Sequence, residues 1–436
     1  MVGVSCDAVA GRALTSLLRP VAGRRLPRHL RAHRVGVTAR RTLSGLRDPA
    51  LAEFISRIDG GAPIHRGNRV RLFTDGAAAT AAMLGAIAGA EREVLCEAYI
   101  FTDDETGLAF RDALSAAAVR GVRVCVLADA WGSILTGSAF WRGMAAHGVE
   151  VRLFHRLFRH LWWHAFRDHR KILVADRRLA YTGGMNIADE YSGSSRRRRE
   201  ERMRDTHLEI AGSAAVELAA VFSEGWERAG GRPLDPEPEP AGAAEEAAGA
   251  NAGDGPRVHV LDSRPDRGHH ETASVLAAVV ALAGERLWLT AGYFAPGRLA
   301  VRLITAAARR GVDVRLLLPG RSDVPIVRHA GHGWYRRLLK AGVRVFEYQP
   351  AILHAKTLVA DGALSIVGSS NLDVRSFRFN AECNVVVLDD ALAGELEAAF
   401  RRDLAESEEI DLFAWRRRNP FHRAADRVAR WLSFLL

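Results

Sequence analysis

The sequence predicts an α/β fold made of two copies of one unit, two α/β/α sandwich halves with one active site at their interface. Three observations predict it. The octapeptide HRKILVAD, His169 to Asp176, returns 185 residues later as HAKTLVAD, His354 to Asp361, and both spell H-x-K-x-x-x-x-D. The text upstream of each octapeptide also repeats in the same order. Between the copies lies a seam, AGGRPLDPEPEPAGAAEEAAGANAGDG, rich in Pro, Gly, Ala and acids and without apolar periodicity.

The elements follow in chain order. Residues 1–60 form a basic extension whose first 47 residues carry ten arginines and one acid, Asp7. The first half, 61–228, contains EVLCEAYIF (93–101), RGVRVCVLAD (120–129) and HGVEVRLFH (147–155), separated by apolar-periodic helices. The linker occupies 229–256. The second half, 257–405, repeats the pattern with RLWLTAGYF (286–294), RGVDVRLLLPG (310–320) and AGVRVFEYQ (341–349). Gly-Val-x-Val reads as a glycine closing a helix and feeding a β-branched strand. Strands alternating with helices predict a mostly parallel sheet in each half. Residues 406–436 form a basic amphipathic tail.

Composition narrows the class. An apolar fraction of 48% and a charged fraction of 26% belong to a globular chain with a sizeable core. A net charge of +10 points to an anionic partner, nucleic acid or membrane surface. Cys6, Cys96, Cys125 and Cys383 form no spaced framework, so a disulfide scaffold is excluded and a reducing compartment expected. No apolar run reaches the roughly 18 to 20 residues of a membrane span. The Arg-rich start also has the composition of an organellar transit peptide.

Among 61 basic residues only three are lysines, Lys171, Lys340 and Lys356, and two of them stand in the octapeptides. Those two places call for a compact ammonium rather than a planar guanidinium. On a strand, residues two apart share a face, so His169 pairs with Lys171 and His354 with Lys356. Seven residues beyond each Asp comes a small-residue turn, GGMN or GSSN, and His to Asn is 17 residues in both halves. Gly184 and Ser369 in these turns let the backbone come close, and Asn186 and Asn371 offer carboxamides. Two such sets facing each other suit a phosphoryl centre. One imidazole attacks phosphorus, the other protonates the leaving oxygen, and the lysines and asparagines stabilise the equatorial oxygens. An acid must hold the other ring nitrogen of the attacking imidazole. Asp205, 36 residues past His169, and Glu382, 28 past His354, are the candidates. Asp176 and Asp361 belong to the repeated motif but end the strand, where support is a better use than chemistry. A single histidine in an apolar strand is most often a core residue; a duplicated motif in a lysine-poor chain is not explained that way. Lysine stands where a second metal ligand would be needed, so neither metal nor cofactor is expected.

These residues resemble the phospholipase D superfamily, whose signature is H-x-K-x4-D followed by G-G/S-x-N. The resemblance is closer still to bacterial-type cardiolipin synthases, through GNRVRLFTDG (67–76), EAYIFTDDETG (97–107), NIADEY (186–191), RDTHLEIAG (204–212), YFAP (293–296), HAKTLVADG (354–362) and SSNLDVRSFRFNAECN (369–384). It covers residues 50 to 436. It implies halves of phospholipase D type and a catalytic set of His169, Lys171, Asp176, His354, Lys356 and Asp361. It also implies a two-step phosphatidyl transfer through a phosphohistidine. By analogy His169 is the nucleophile and His354 the acid and then the base; the near symmetry leaves the reverse open. The implied reaction joins two phosphatidylglycerols into cardiolipin and releases glycerol, with phosphatidylethanolamine as donor in some members. A hydrolase or a nucleic-acid phosphodiesterase of the superfamily is the alternative, although the text outside the motifs speaks against nucleic acid. Many relatives begin with two membrane-spanning helices that this sequence lacks, and Met203 stands where a tryptophan usually does.

Phospholipids and an anionic membrane surface are thus the expected partners, with attachment peripheral on the cytoplasmic side, or organellar if residues 1–47 are a transit peptide. Three segments offer contacts. HRLFRHLWWHAFRDH (155–169) mixes aromatics with arginine and histidine and serves as either a headgroup loop or a packed lid. Arg196 to Arg199 form a basic run that suits a solvated loop or anionic lipid. In the tail, Phe421, Ala424, Val428, Leu432 and Leu435 share one helical stripe, which suits membrane docking or capping of a core.

Overall fold

The computed structural model describes residues 48–154, 166–193, 198–234, 255–265 and 268–432. The aromatic stretch 155–165, Arg196 and Arg197, most of the linker, the first 47 residues and Leu435 lie outside the described residues.

The first half contributes β1 (Arg69–Phe73), β2 (Glu93–Ala98), β3 (Arg123–Asp129), β4 (Glu150–Phe154), β5 (Ile172–Ala175), β6 (Leu179–Gly183), β7 (Met203–Arg204) and β8 (His207–Ala211). The second contributes β9 (Arg257–Ser263), β10 (Arg286–Ala291), β11 (Phe294–Ala295), β12 (Asp313–Pro319), β13 (Arg344–Tyr348), β14 (Ile352–Leu353), β15 (Lys356–Ala360), β16 (Leu364–Gly368), β17 (Leu372–Asp373), β18 (Glu382–Leu388) and β19 (Ser407–Glu409). One sheet has the order β1-β8-β6-β5-β2-β3-β4. The other, taken from its far edge, runs β9-β18-β16-β15-β10-β12-β13-β19. Strand for strand these are the same sheet, with β19 added at one edge, so the duplication in the text is a duplication of topology.

The expectation of mostly parallel sheets is corrected. Within the two main sheets, among the described residues, the parallel neighbours are β2-β3-β4 and β10-β12-β13. Each remaining main-sheet neighbour pairs antiparallel. The cause is local. Three residues, Asp176 to Arg178, separate β5 from β6, which allows a hairpin but no crossover helix.

The Gly-Val-x-Val entries behave as the sequence predicts. Gly121, Gly148, Gly311 and Gly342 take φ values of 91° to 96°. In each case the following valine N–H reaches back into the helix, as Val122 does to the Ala117 carbonyl.

Each sheet is covered on both faces. Outer-layer helices in the first half, Gly76–Gly89, Glu105–Val119 and Ser138–Ala146, enclose one core. A second core lies between the halves, where Leu95, Val174, Phe222 and Trp226 meet Val258, Val359, Val385 and Val387. Helix Ser213–Arg228 touches β9 of the other half, and helix Asp390–Ala405 touches β1. The halves are therefore interlocked.

The described part of the N-terminal extension is not a loose arm. Asp48–Ile58 is a helix that buries Leu51, Ala52 and Ile55 in the core of the second half. The tail likewise begins with sheet, since β19 pairs with β13. Among the described residues no helix is long and apolar enough to cross a membrane.

Candidate active site

Each repeated histidine stands just before its strand, and each is strapped to the other half. His169 N–H donates to the Ala381 carbonyl (2.9 Å), while Ala381 N–H donates to Arg167. His354 N–H donates to the Arg204 carbonyl (2.8 Å), and β14 pairs with β7 beside it. Met203 pairs with Ile352 through the backbone, and its side chain packs against the core of the first half.

The acids follow this crossing. His169 Nδ1 lies 3.0 Å from Glu382 Oε2, and His354 Nδ1 lies 2.6 Å from Asp205 Oδ2. Sequence spacing pairs each acid with the histidine of its own half; the structure pairs it with the other. A carboxylate only accepts, so Nδ1 carries the proton in both neutral rings and Nε2 is left without one. Both histidines and both acids are buried.

The small turn residues set these acids. A Cβ at Gly184 would collide with the Asp205 carboxylate, so only glycine lets Asp205 reach His354. At the matching place Ser369 Oγ donates to Glu382 Oε2 at 2.5 Å. Asn380 Nδ2 donates to the other oxygen of Glu382 at 3.3 Å. Asn186 and Asn371 accept from the backbone N–H groups of Ile100 (3.1 Å) and Tyr293 (3.2 Å).

Lys171 Nζ donates to the His169 carbonyl at 2.7 Å. Lys356 Nζ bonds the His354 carbonyl and lies 2.7 Å from His354 Nδ1. Burial pushes Lys171 down to about 7 and Lys356 to about 8. The charge of Lys356, in the other half, also lowers Lys171. Burial, then Lys356, drive His354 down to about 4. Burial favours a neutral Asp205, yet Lys356 and His354 outweigh it and hold the carboxyl at about 2.

Asp176 and Asp361 stand at the opposite end of the motif strand from the histidines. Asp176 accepts from the N–H groups of Glu91, Arg92 and Glu93, and Asp361 from those of Gly284, Glu285 and Arg286, all at 2.8 to 3.0 Å. Both take a positive φ, 53° and 52°. Their carboxylates tie one strand end to the start of its neighbour.

Sequence reading passed over two features. Tyr99 packs on His169 (ring centroids 4.8 Å), and Tyr191 and Tyr293 pack on His354 (5.3 and 5.8 Å). Overlaying EAYIF on TAGYF sets Tyr99 against Gly292 and Ile100 against Tyr293, so the repeat does not mark these rings. Arg170, fully buried beside His169, pairs with Asp168 (3.0 Å) and Glu97 (2.9 Å) and, across the interface, with Asp262 (3.4 Å). Ala355 takes its place in the second half, so no repeat betrayed it.

Comparison with known proteins agrees with this architecture. The model of the family described as "Cardiolipin synthase, PLD-like domain" matches residues 83–223 and 276–404, one stretch in each half. Cardiolipin synthase A of Pseudomonas fluorescens is 34% identical over 381 residues, 86% of this chain and 77% of that one. Cardiolipin synthase 1 of Bacillus cereus is 31% identical over 396 residues, 88% and 76% of the two chains. Among solved structures, phosphatidylserine synthase of Haemophilus influenzae superposes with a TM-score of 0.68 at 15% identity, covering 88% of this chain and all of that one. At that identity the likeness speaks for the fold alone. The two matched segments and the relatives aligned across both halves make the chain a member of the cardiolipin synthase family with phospholipase D-like domains.

Proposed function

We propose that this protein is a phosphatidyltransferase that makes cardiolipin from two phosphatidylglycerols, with glycerol released, through a phosphohistidine. One observation carries the reading: two buried imidazoles each have Nδ1 held by an acid of the opposite half, which leaves Nε2 for chemistry, and a buried lysine bonds the backbone carbonyl of each histidine.

His169 Nε2 attacks phosphorus of the first lipid, the bond to the glycerol oxygen breaks, and His354, entering this step as the imidazolium, gives that oxygen its Nε2 proton. The terminal hydroxyl of a second phosphatidylglycerol then attacks phosphorus, His354 takes its proton, and the P–N bond breaks. His169 is the better nucleophile of the two because phosphorylation makes its ring cationic. Glu382 stabilises that cation, while Lys171 rests on the backbone carbonyl rather than on the ring. At His354 the ammonium of Lys356 sits against Nδ1, which favours a ring that readily gives up a proton. Lys171, Lys356, Asn186 and Asn371 serve the phosphoryl oxygens. Asp176 and Asp361 keep the strands in place. The burial of the site limits access of free water and supports an alcohol as acceptor. Attachment is peripheral, on the cytoplasmic side of the membrane.

The test is lipid turnover by purified protein on phosphatidylglycerol vesicles, with and without phosphatidylethanolamine, beside His169→Ala. Cardiolipin and glycerol, absent from the variant, are expected. Phosphatidic acid alone would make the protein a hydrolase, and intact lipids with cleavage of DNA or RNA would leave only the phosphohistidine chemistry.

A further inference from the structure

We infer that the C-terminal helix docks the enzyme on an anionic bilayer through an apolar stripe that it turns away from the protein; this rests on the phospholipid reading above. A surface helix of a globular protein ordinarily buries its apolar stripe and exposes its charges. Helix Pro420–Leu432 buries an acid and one small residue, Ala429, and leaves large apolar side chains outside with its arginines. Phe421 is 84% exposed, Val428 58% and Trp431 74%, whereas Asp426 is 3% exposed.

The helix is held by its polar side. Asp426 Oδ1 lies 2.9 Å from His329 Nδ1, and Asp426 Oδ2 lies 2.9 Å from the Arg418 guanidinium. Arg430 donates to the Gly333 carbonyl at 3.1 Å. Such a staple, with Ala429 packed on Ala330, fixes the helix on its neighbour, Pro325–Lys340, while Phe421 and Val428 stay exposed.

The occupant of the stripe follows from charge. Residues 412–432 carry six arginines and one acid, Asp426, which is already ion-paired. Phe413, 65% exposed on the preceding short helix, has Arg417 stacked over its ring. Apolar side chains flanked by arginines fit the boundary between acyl chains and anionic headgroups. A second copy fits badly, because a two-fold contact would bring the same arginines against each other.

The test uses the full chain and the variant Phe421→Glu/Val428→Glu/Trp431→Glu, all at exposed positions. Wild type should co-sediment with phosphatidylglycerol-containing vesicles and far less with pure phosphatidylcholine. The variant should bind about tenfold or more weakly, since three apolar contacts are lost and three anions added. Turnover of short-chain, water-soluble phosphatidylglycerol should stay unchanged in the variant, which also reports that it is folded. Equal vesicle affinity of the two proteins would overturn the inference. So would a dimer that the substitutions convert to monomer while lipid binding persists. Wild-type binding and wild-type turnover on the same vesicles separate the two readings, because capture by the stripe without any cardiolipin formation would sink the transferase and leave the docking intact.

Discussion

The crossed acid pairs make an unusual demand on mutagenesis: a residue of the second half should control the histidine of the first. Glutamine at Glu382 keeps the shape and removes the charge. His169 Nδ1 and Glu382 Oε2 are 3.0 Å apart and both side chains are buried. At an effective dielectric of about 20, unit charges at that separation attract by about 5 kcal/mol. The carboxamide still accepts a hydrogen bond and Ser369 remains beside it, so a loss of about 4 kcal/mol, roughly a thousandfold in rate, is expected. The loss falls on the step in which His169 becomes cationic. A phosphatidyl ester of p-nitrophenol locates it, because that leaving group needs no proton donor. With this substrate His354→Ala and Asp205→Asn should regain a burst of p-nitrophenol and accumulate phosphoenzyme, since only the later deprotonation of the alcohol is impaired. His169→Ala and Glu382→Gln should give no comparable burst. In addition, His169→Ala/Glu382→Gln should be no slower than His169→Ala alone, as expected of residues acting as one unit. If Asp205→Asn instead groups with His169→Ala, the acids act within their own halves and the reasoning fails.

Three further outcomes are expected. Burial lowers Lys171 to about 7 and Lys356 to about 8, so between pH 7 and 8 the unfolded chain binds more protons at these lysines than the folded one. Urea denaturation should therefore show stability rising by about 1 kcal/mol across that interval, and Lys356→Met should flatten the slope. Asp361→Ala removes the acceptor for three backbone N–H groups and places alanine at a φ of 52°; it should cost about 3 kcal/mol in urea denaturation while kcat of the folded protein is retained. Gly184→Ala pushes the Asp205 carboxylate off His354, and kcat on phosphatidylglycerol should fall about a hundredfold with the melting temperature little changed.

The site's chemistry was legible before its geometry was. Two rare lysines in two copies of one octapeptide announced a two-fold phosphoryl site, because chemistry dictates residue types and the duplication writes them twice. Pairing between copies leaves no such mark. Distance along the chain from His169 to Asp205 measures a path within one half, and the interface that carries Asp205 to His354 instead appears nowhere in that count. The antiparallel part of each sheet, by contrast, could have been read. ILVA-DRR-LAYTG is two strand-like runs with three residues between them, too few for a helix to return the chain in parallel. Tyr99 and Tyr293 were not readable in the same way, because laying one half over the other sets Tyr99 against Gly292 and Tyr293 against Ile100. The tail marks the remaining boundary of what a sequence can say. Periodicity places Phe421 and Val428 on one side of a helix and Asp426 on another, but it sets their angle only relative to each other. Which side meets the protein is decided by the partner surface, and here His329 and Arg418 supply charge for the acid of a helix that hydropathy alone would have docked the other way round.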